Sequence, residues 1–505
     1  IMVKSNGGII GPDNVTTGGF SGVASGVFKL GEVTDLIRQS KWPEPSPFID
    51  TVPNSARFNS ASSDNLTLSG SSGGSTTKFT RSFWLKKSRL GLQQYLMDNS
   101  GETQIFFKLN ANDTVTLGIY ASSAYSTELV GNTNLMRDPS AWYHIVIAVD
   151  YTNATQAYRA RIYINNSEVT SFSTETRPNN TSTTFNTFNS SKTHYISGTS
   201  GGSHIFGGYL AEVVHIDGQQ LTPSSFGETN SDSGIWIPKD VSGLTFGTKG
   251  FYLDFEDSSA LGNDVSGNNL DYTANNLTSI DQSTDSPSNN FCTFNSLVNL
   301  GSNITLTDGN LTATPGTSDY KTVTSSIAIN SGKWYAEYKA ISGHNGSTDI
   351  GVGIVGATSP ASTSSQNISA MVGGFSYGSG GLVKQYNNST IRTDATYTNG
   401  DIIGVAVDLD NSKLYWSKNG TFQNSGDPTS GSTGTGAVSI TASTEYFICC
   451  SVISSGGVKV FSANFGNPPY ALSSAVADAN GLGQFEYAPP TGYFSLCTNN
   501  LNVLE

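Results

Sequence analysis

From Ser55 onward the chain alternates. Short runs in which apolar and polar positions change place at every step are separated by clusters of Gly, Asn, Asp and Ser. A period of two, bounded by turn residues, predicts strands and hairpins. Residues 400–420, GDIIGVAVDLDNSKLYWSKNG, are the plainest case. Ile402, Val405 and Val407 supply the β-branched side chains of one strand, Asp408 to Ser412 the turn, and Leu414, Tyr415 and Trp416 the return strand. Asn419-Gly420 then offers a second tight turn. Residues 142–150 (WYHIVIAVD) and 161–165 (RIYIN) read as another strand pair, and 206–213 as a further strand. The pattern predicts an all-β fold class: two β-sandwich domains in tandem behind a short extended segment.

That leading segment, residues 1–48, breaks the pattern. Gly, Ser and Thr dominate up to Gly26, and apolar residues are too few for a core. Residues 32–38 predict one short helix showing Val33, Leu36 and Ile37 on one side, ended by the proline-rich run 42–47. Such a segment is either ordered by partner subunits or a floppy leader. Ile1 precedes Met2, so the start reads as processed or incompletely framed. Four divisions follow: 1–48 as a distinct leading segment, 49–255 for the first sandwich, 256–290 as a polar linker, and 291–505 for the second sandwich with a C-terminal tail. Within the linker, 279–290 reads as a surface connection open to protease, with Pro287 setting its exit.

Composition narrows the class. Aromatic residues at 10% are ample for packed cores, whereas charged residues at 13% are well below the usual ~25%. Ser, Thr, Asn and Gly must therefore cover the surface, as in a rigid extracellular or virion protein. A net charge of −13 argues against nucleic acid, whose phosphates it would repel. No apolar run reaches the ~18 residues of a membrane span, and no secretory leader is visible. Cys292, Cys449, Cys450 and Cys497 show no zinc spacing. A Cys292–Cys497 bridge would close the second sandwich; four reduced thiols is the other reading.

Two families are resembled. The hairpin at 400–420, together with Trp334-Tyr335-Ala336-Glu337, residues 350–355, Ala463-Asn464-Phe465-Gly466 and Pro469-Tyr470, resembles the ordered motifs of SPRY domains, with Tyr for the usual final Phe. Arg57-Phe58, residues 66–68, 79–85, 142–150, 161–165 and 206–218 resemble a LamG or concanavalin-like jelly roll over about 55–255. The ensemble, with 26–32 running to Lys41-Trp42-Pro43 and the ending at 490–501, resembles tail-fibre or appendage proteins of marine bacteriophages. That resemblance implies a virion subunit held to other virion proteins through residues 1–48 and binding a host-surface glycan or protein, with no nucleic acid and no membrane insertion. A leading segment too poor in apolar residues for its own core adds the expectation of a homotrimer or higher oligomer organised by it. The alternatives are a secreted glycan-degrading enzyme with a binding module, and an architectural virion-surface protein.

Jelly rolls include glycoside hydrolases, so paired carboxylates matter. The Glu-x-Asp-x-x-Glu string of concanavalin-like endoglucanases is absent. Asp254 and Glu256 would share a strand face, as would Asp408 and Asp410 at a hairpin turn. The expectation is binding without cleavage and without a cofactor, calcium excepted: Asp254, Asp257, Asn263 and Asp264 crowd enough oxygens for a hard cation. His144 and His215 read as satisfied sheet residues. His194 and His204 flank the 198–202 loop and could touch a ligand. Trp84, Trp142, Trp334 and Trp416 read as core. The expected ligand contacts are His204 and the loop aromatics: Tyr120 and Tyr125 around Ala-Ser-Ser-Ala, and Phe375, Tyr377 and Tyr386 around 378–381.

Overall fold

A computed structural model describes residues 8–11, 26–29 and 52–504, apart from 70, 100–104, 122–123, 187, 189–191, 232, 298–303, 347–349, 359–366 and 442–443. Residues 1–51 and 52–505 form separate compact units. In the first, strands Gly8–Gly11 and Gly26–Lys29 pair antiparallel; the helix expected at 32–38 lies outside the described residues.

The larger unit is all-β, with two stacked sheet pairs. Thr498–Leu504 is the only α-helix among the described residues. In the first sandwich, one eight-stranded sheet centres on Lys78–Lys87, flanked by Trp142–Asp150 and Gly208–Asp217. The strands legible as separate motifs are therefore neighbours. The facing sheet, also eight-stranded, runs Phe172–Thr176, Ala124–Gly131, Val115–Ala121, Ile105–Leu109, Gln94–Asp98, Thr193–Ile196, Asn65–Ser69, Thr273–Asn275. Alternation decides what lies between them: Ile105, Phe107, Leu109, Leu117 and Ile119 from this sheet meet Phe83, Leu85, Ile145 and Ile147 from the other.

The second sandwich stacks an eight-stranded on a six-stranded sheet. Ile402–Asp408 and Lys413–Lys418 form the expected hairpin, with Val405 opposite Trp416 and Val407 opposite Leu414. Asn419 and Gly420 both have positive φ, 47° and 77°, so Thr421–Phe422 folds straight back onto Lys418 and Ser417. Lys333–Ser342 lies against the hairpin, and Val460–Asn464 lies on its other side. Glu337 ties this sheet to a distant part of the chain. Its buried carboxyl accepts the backbone N–H groups of Glu486 and Tyr487, each at 2.9 Å, and fastens the C-terminal tail across the sheet. That tail covers the sheet's outer face: Tyr335, Ala406 and Tyr415 pack under Phe485 and Tyr493.

Residues 256–290 are not a linker. Thr273–Asn275 pairs with Asn65–Ser69, and Gln282–Ser283 with Ser55–Phe58, so the segment completes both sheets of the first sandwich. Of the stretch expected at the surface, Ser279 and Ile280 are exposed, but the rest runs inward: Ser283, Asp285 and Ser286 are at most 1% exposed. Arg57, itself buried, donates to the carbonyl of Ile280 at 2.7 Å and to that of Pro468, across the junction, at 3.3 Å. Tyr209 reaches Gly309 of the second sandwich at 3.1 Å. Polar side chains concentrate here because buried backbone groups need partners, and the short polar residues of the segment provide them. Hydrophobic period carries no trace of such a role.

All four cysteines are free and buried. Phe291 and Cys497 are the residues that pair, and Cys292 N–H donates to the carbonyl of Leu496 at 2.8 Å. An offset of one position turns Cys292 and Cys497 to opposite faces, which disfavours a bridge between them and leaves the reading of four reduced thiols.

Candidate ligand-binding surface

The open face lies on the first sandwich. Where Ile105, Phe107 and Leu109 point inward, Phe106 and Lys108 point out, and so do Tyr95 and Tyr120 on adjacent strands. Gly118 sits opposite Phe106, and a Cβ there would come within 2.3 Å of the ring, so only glycine lets the ring lie across the strand. Tyr120 is paired directly with Tyr125, their ring centroids 4.0 Å apart, beside a register shift at Ile119 and Tyr120. Tyr125 meets Phe106 at 6.2 Å, Phe106 meets Tyr95 at 5.6 Å, and Tyr95 meets His204 at 5.8 Å. The result is a continuous aromatic row across four strands and one loop.

Lys108 lies over its middle, with Nζ 5.3 Å from the centroids of both Tyr95 and Phe106. The row has a buried base and accessible ends. Tyr95 and Phe106 are covered, Tyr120, Tyr125 and Lys108 are half-buried, and His204 is exposed. Chemically, this offers flat apolar faces, two phenol hydroxyls and an ammonium group on a rigid sheet. It can stack against a ring that carries hydroxyls and donate to an acceptor on it.

Of the six residues expected to touch ligand, the structure brings Tyr120, Tyr125 and His204 together. Phe375 and Tyr377 do not belong to a loop surface. They lie on strand Phe375–Gly378 and are 8% and 0% exposed within the second core, with the Tyr377 hydroxyl donating to the carbonyl of Ala395. Tyr386 is exposed at a turn. His194 is buried against Phe188 rather than available to a ligand. His144, stacked on Trp84 at 4.6 Å and bonded to Ser82 and Trp236, is held neutral by burial, its pKa depressed to about 3. Tyr95, Phe106 and Lys108 were missed, although the alternation of IFFKL could have found the last two: it places them on one face.

The carboxylates tell a different story. Strand Phe251–Leu253 ends before Asp254, and Phe255 has a φ of 61°, so Asp254 and Glu256 do not share a face; Glu256 N–H instead donates to Asp254 at 3.1 Å. Asp408 is buried, bonded to Asn411 and 3.3 Å from Lys333, while Asp410 accepts from Gly332 N–H. The residues expected to crowd around a cation are engaged in turns. Asp257 accepts from Ser259, and buried Asp264 accepts from the N–H groups of Tyr252, Ser266 and Leu270. Among the described residues no group of His, Cys, Asp and Glu is placed to hold a metal ion. Glu212 was not anticipated. It sits at a bulge with a φ of 51°, takes the Tyr252 hydroxyl on both oxygens, and burial pushes its carboxyl up to about 8.

Residues 60–224 match the family described as the concanavalin A-like lectin/glucanases superfamily. A comparison with curated proteins finds no match. Among solved structures, the chain is similar to the SPRY domain of human HERC1 (18% identity, TM-score 0.24, covering 30% of this chain and 87% of that one). It is also similar to a Bacteroides ovatus protein described as carbohydrate binding (14%, 0.27, 45% and 59%). A third is a heptameric SAP-like pentraxin from Limulus polyphemus (16%, 0.23, 34% and 80%).

Proposed function

We propose that this chain is a virion appendage subunit that binds a host-surface glycan, without cleaving it, on the open sheet of its first sandwich. The observation that carries the reading is the aromatic row from Tyr120 to His204 on the outer face of the sheet, in which Tyr95 and Phe106 form a buried base and Tyr120, Tyr125 and His204 stay accessible. The lectin and glucanase family match of residues 60–224 supports a sugar as the ligand. The separated carboxylates support binding over hydrolysis, since acid and base must stand at a fixed distance across one bond. Residues 1–48 attach the subunit to other virion proteins and organise a homotrimer, whose copies raise avidity by about 10²–10⁴ when they engage together.

The test has separate arms. Particles imaged with this chain labelled should carry the label on a surface appendage, and deletion of residues 1–48 should remove it while both sandwiches fold. Incubation with host polysaccharide should release no reducing sugar. Release abolished by Glu256→Gln would move the protein to the glycan-degrading class, and unlabelled particles would remove it from the virion.

A further inference from the structure

The junction between the sandwiches encloses three side chains in an unusual combination. Lys86, on strand Lys78–Lys87, is 1% exposed, and its Nζ stands 2.7 Å from Asp285 Oδ2, 2.7 Å from Asn290 Oδ1 and 2.8 Å from the carbonyl of Phe291. Asp285 is fully buried, and its other oxygen accepts from Trp142 Nε1 at 3.1 Å and Phe291 N–H at 3.2 Å. The Asn290 amide is fixed at both ends, donating from Nδ2 to the carbonyl of Ser140 at 2.7 Å while its backbone is held by Thr498 on either side. Tyr209 and Trp142 flank the amine, the Tyr209 ring centroid 5.6 Å from Nζ.

We infer that Lys86 and Asn290 are an autocatalytic crosslinking site, joining through an isopeptide bond with Asp285 as the proton carrier. The geometry is that of poised reactants. Asn290 Cγ lies one C=O bond beyond the oxygen already touching Nζ, so nucleophile and electrophile are no more than about 3.9 Å apart, near the separation from which oriented groups react. Asp285 takes a proton from the Lys86 ammonium, and the free amine adds to Cγ of Asn290. Asp285 protonates the carbonyl oxygen as that bond forms. Asp285, again a carboxylate, carries the second amine proton to the departing NH₂ group; as the centre collapses it takes up the hydroxyl proton and hands it to the released ammonia. One Nζ–Cγ bond forms, one Cγ–Nδ2 bond breaks, the leaving nitrogen departs with both amine protons as ammonium and Asp285 ends as the carboxylate it began. No oxidant or co-reactant is needed.

Lys87 supplies an internal comparison. It is equally buried, with Nζ 2.8 Å from Asp113 and 3.1 Å from the carbonyl of Met136, yet no carboxamide appears among those contacts. A carboxylate without an electrophile gives an ion pair and nothing more. The bond at Lys86 would staple the first sandwich to the segment that enters the second.

Intact mass spectrometry of the denatured full chain should give the sequence mass less one ammonia, and a digest should contain a branched peptide joining the Lys86 and Asn290 segments. Lys86→Met and Asn290→Ala should restore the sequence mass, whereas Lys87→Met should keep the branch. Asp285→Asn, which preserves shape, should leave the two residues in linear peptides. A wild-type chain with the full sequence mass, or ammonia loss without the branched peptide, overturns the assignment. Branching at the wild-type rate in Asp285→Asn overturns the role given to that carboxylate.

Discussion

Two sheets in this molecule carry aromatics on the face turned away from the core, and they meet opposite fates. In the second sandwich Tyr335 and Tyr415 project from the central strands and are sealed by Phe485 and Tyr493 of the C-terminal tail. In the first, Phe106, Tyr120 and Tyr125 project in the same way, and Tyr120 and Tyr125 remain half-open. Local sequence is alike in the two places: alternating strands with an aromatic at the outward position. What differs is how much of the face the rest of the chain covers: all of it in the second sandwich, but only the Tyr95 and Phe106 end of the row in the first. Glu337 provides the tether in the second sandwich through two backbone N–H groups far away in sequence. An outward aromatic is therefore left accessible or built into a second core according to a distant hydrogen bond.

The sharpest way to break the comparison is to uncover the covered face. Phe485→Ala should cost about 3–5 kcal/mol of stability, read from the urea midpoint, because a fully buried ring leaves a cavity. A loss below about 1 kcal/mol would mean that the tail is not a structural lid. Disturbing the open face from beneath should cost less. Gly118→Ala drives a methyl group into Phe106 and should destabilise by about 1–3 kcal/mol, while displacing the ring on which Tyr95 and Tyr125 rest. Unchanged stability and unchanged binding would contradict the assigned ring position.

A pH dependence is shared by the two sandwiches. Burial raises Glu212 to about 8 and Glu337 to about 7, from an ordinary 4.5. Each folded state holds a proton that the unfolded chain releases, so the stabilisation is complete below about 4.5 and is lost as pH climbs through 7 and 8. His144 acts in the opposite sense, its depressed pKa favouring the fold above the usual 6.5 and eroding it on acidification. Glu212→Gln should therefore flatten the fall in Tm between about pH 5 and pH 9. An identical slope in variant and wild type would show that Glu212 is not held protonated.

The legibility of this chain divides along the same line. Strands declared by period two were found, and the hairpin at 400–420 emerged with its turns in place because Asn and Gly at positive φ are local facts. Residues 256–290 were misread because polar, turn-rich sequence looks alike whether it is solvated or pairs at a sheet edge, as Thr273–Asn275 and Gln282–Ser283 do. Tyr120 and Tyr125 were legible beside a turn. Phe375 and Tyr377 stood in a similar context but turned inward, since strand Phe375–Gly378 lies between two others in its sheet and its side chains meet the opposite layer. The signal that separates these pairs is tertiary.

The central claim is that the open face of the first sandwich holds the ligand. A glycan array probed in parallel with the wild-type chain and with Tyr120→Ala/Tyr125→Ala tests it most directly. Each ring contributes about 0.5–1.5 kcal/mol of stacking, so the double variant should lose roughly tenfold or more in affinity for every glycan that the wild type retains, with its urea midpoint nearly unchanged. Wild-type glycan signals that persist in the double variant would place the binding elsewhere on the molecule and contradict the account.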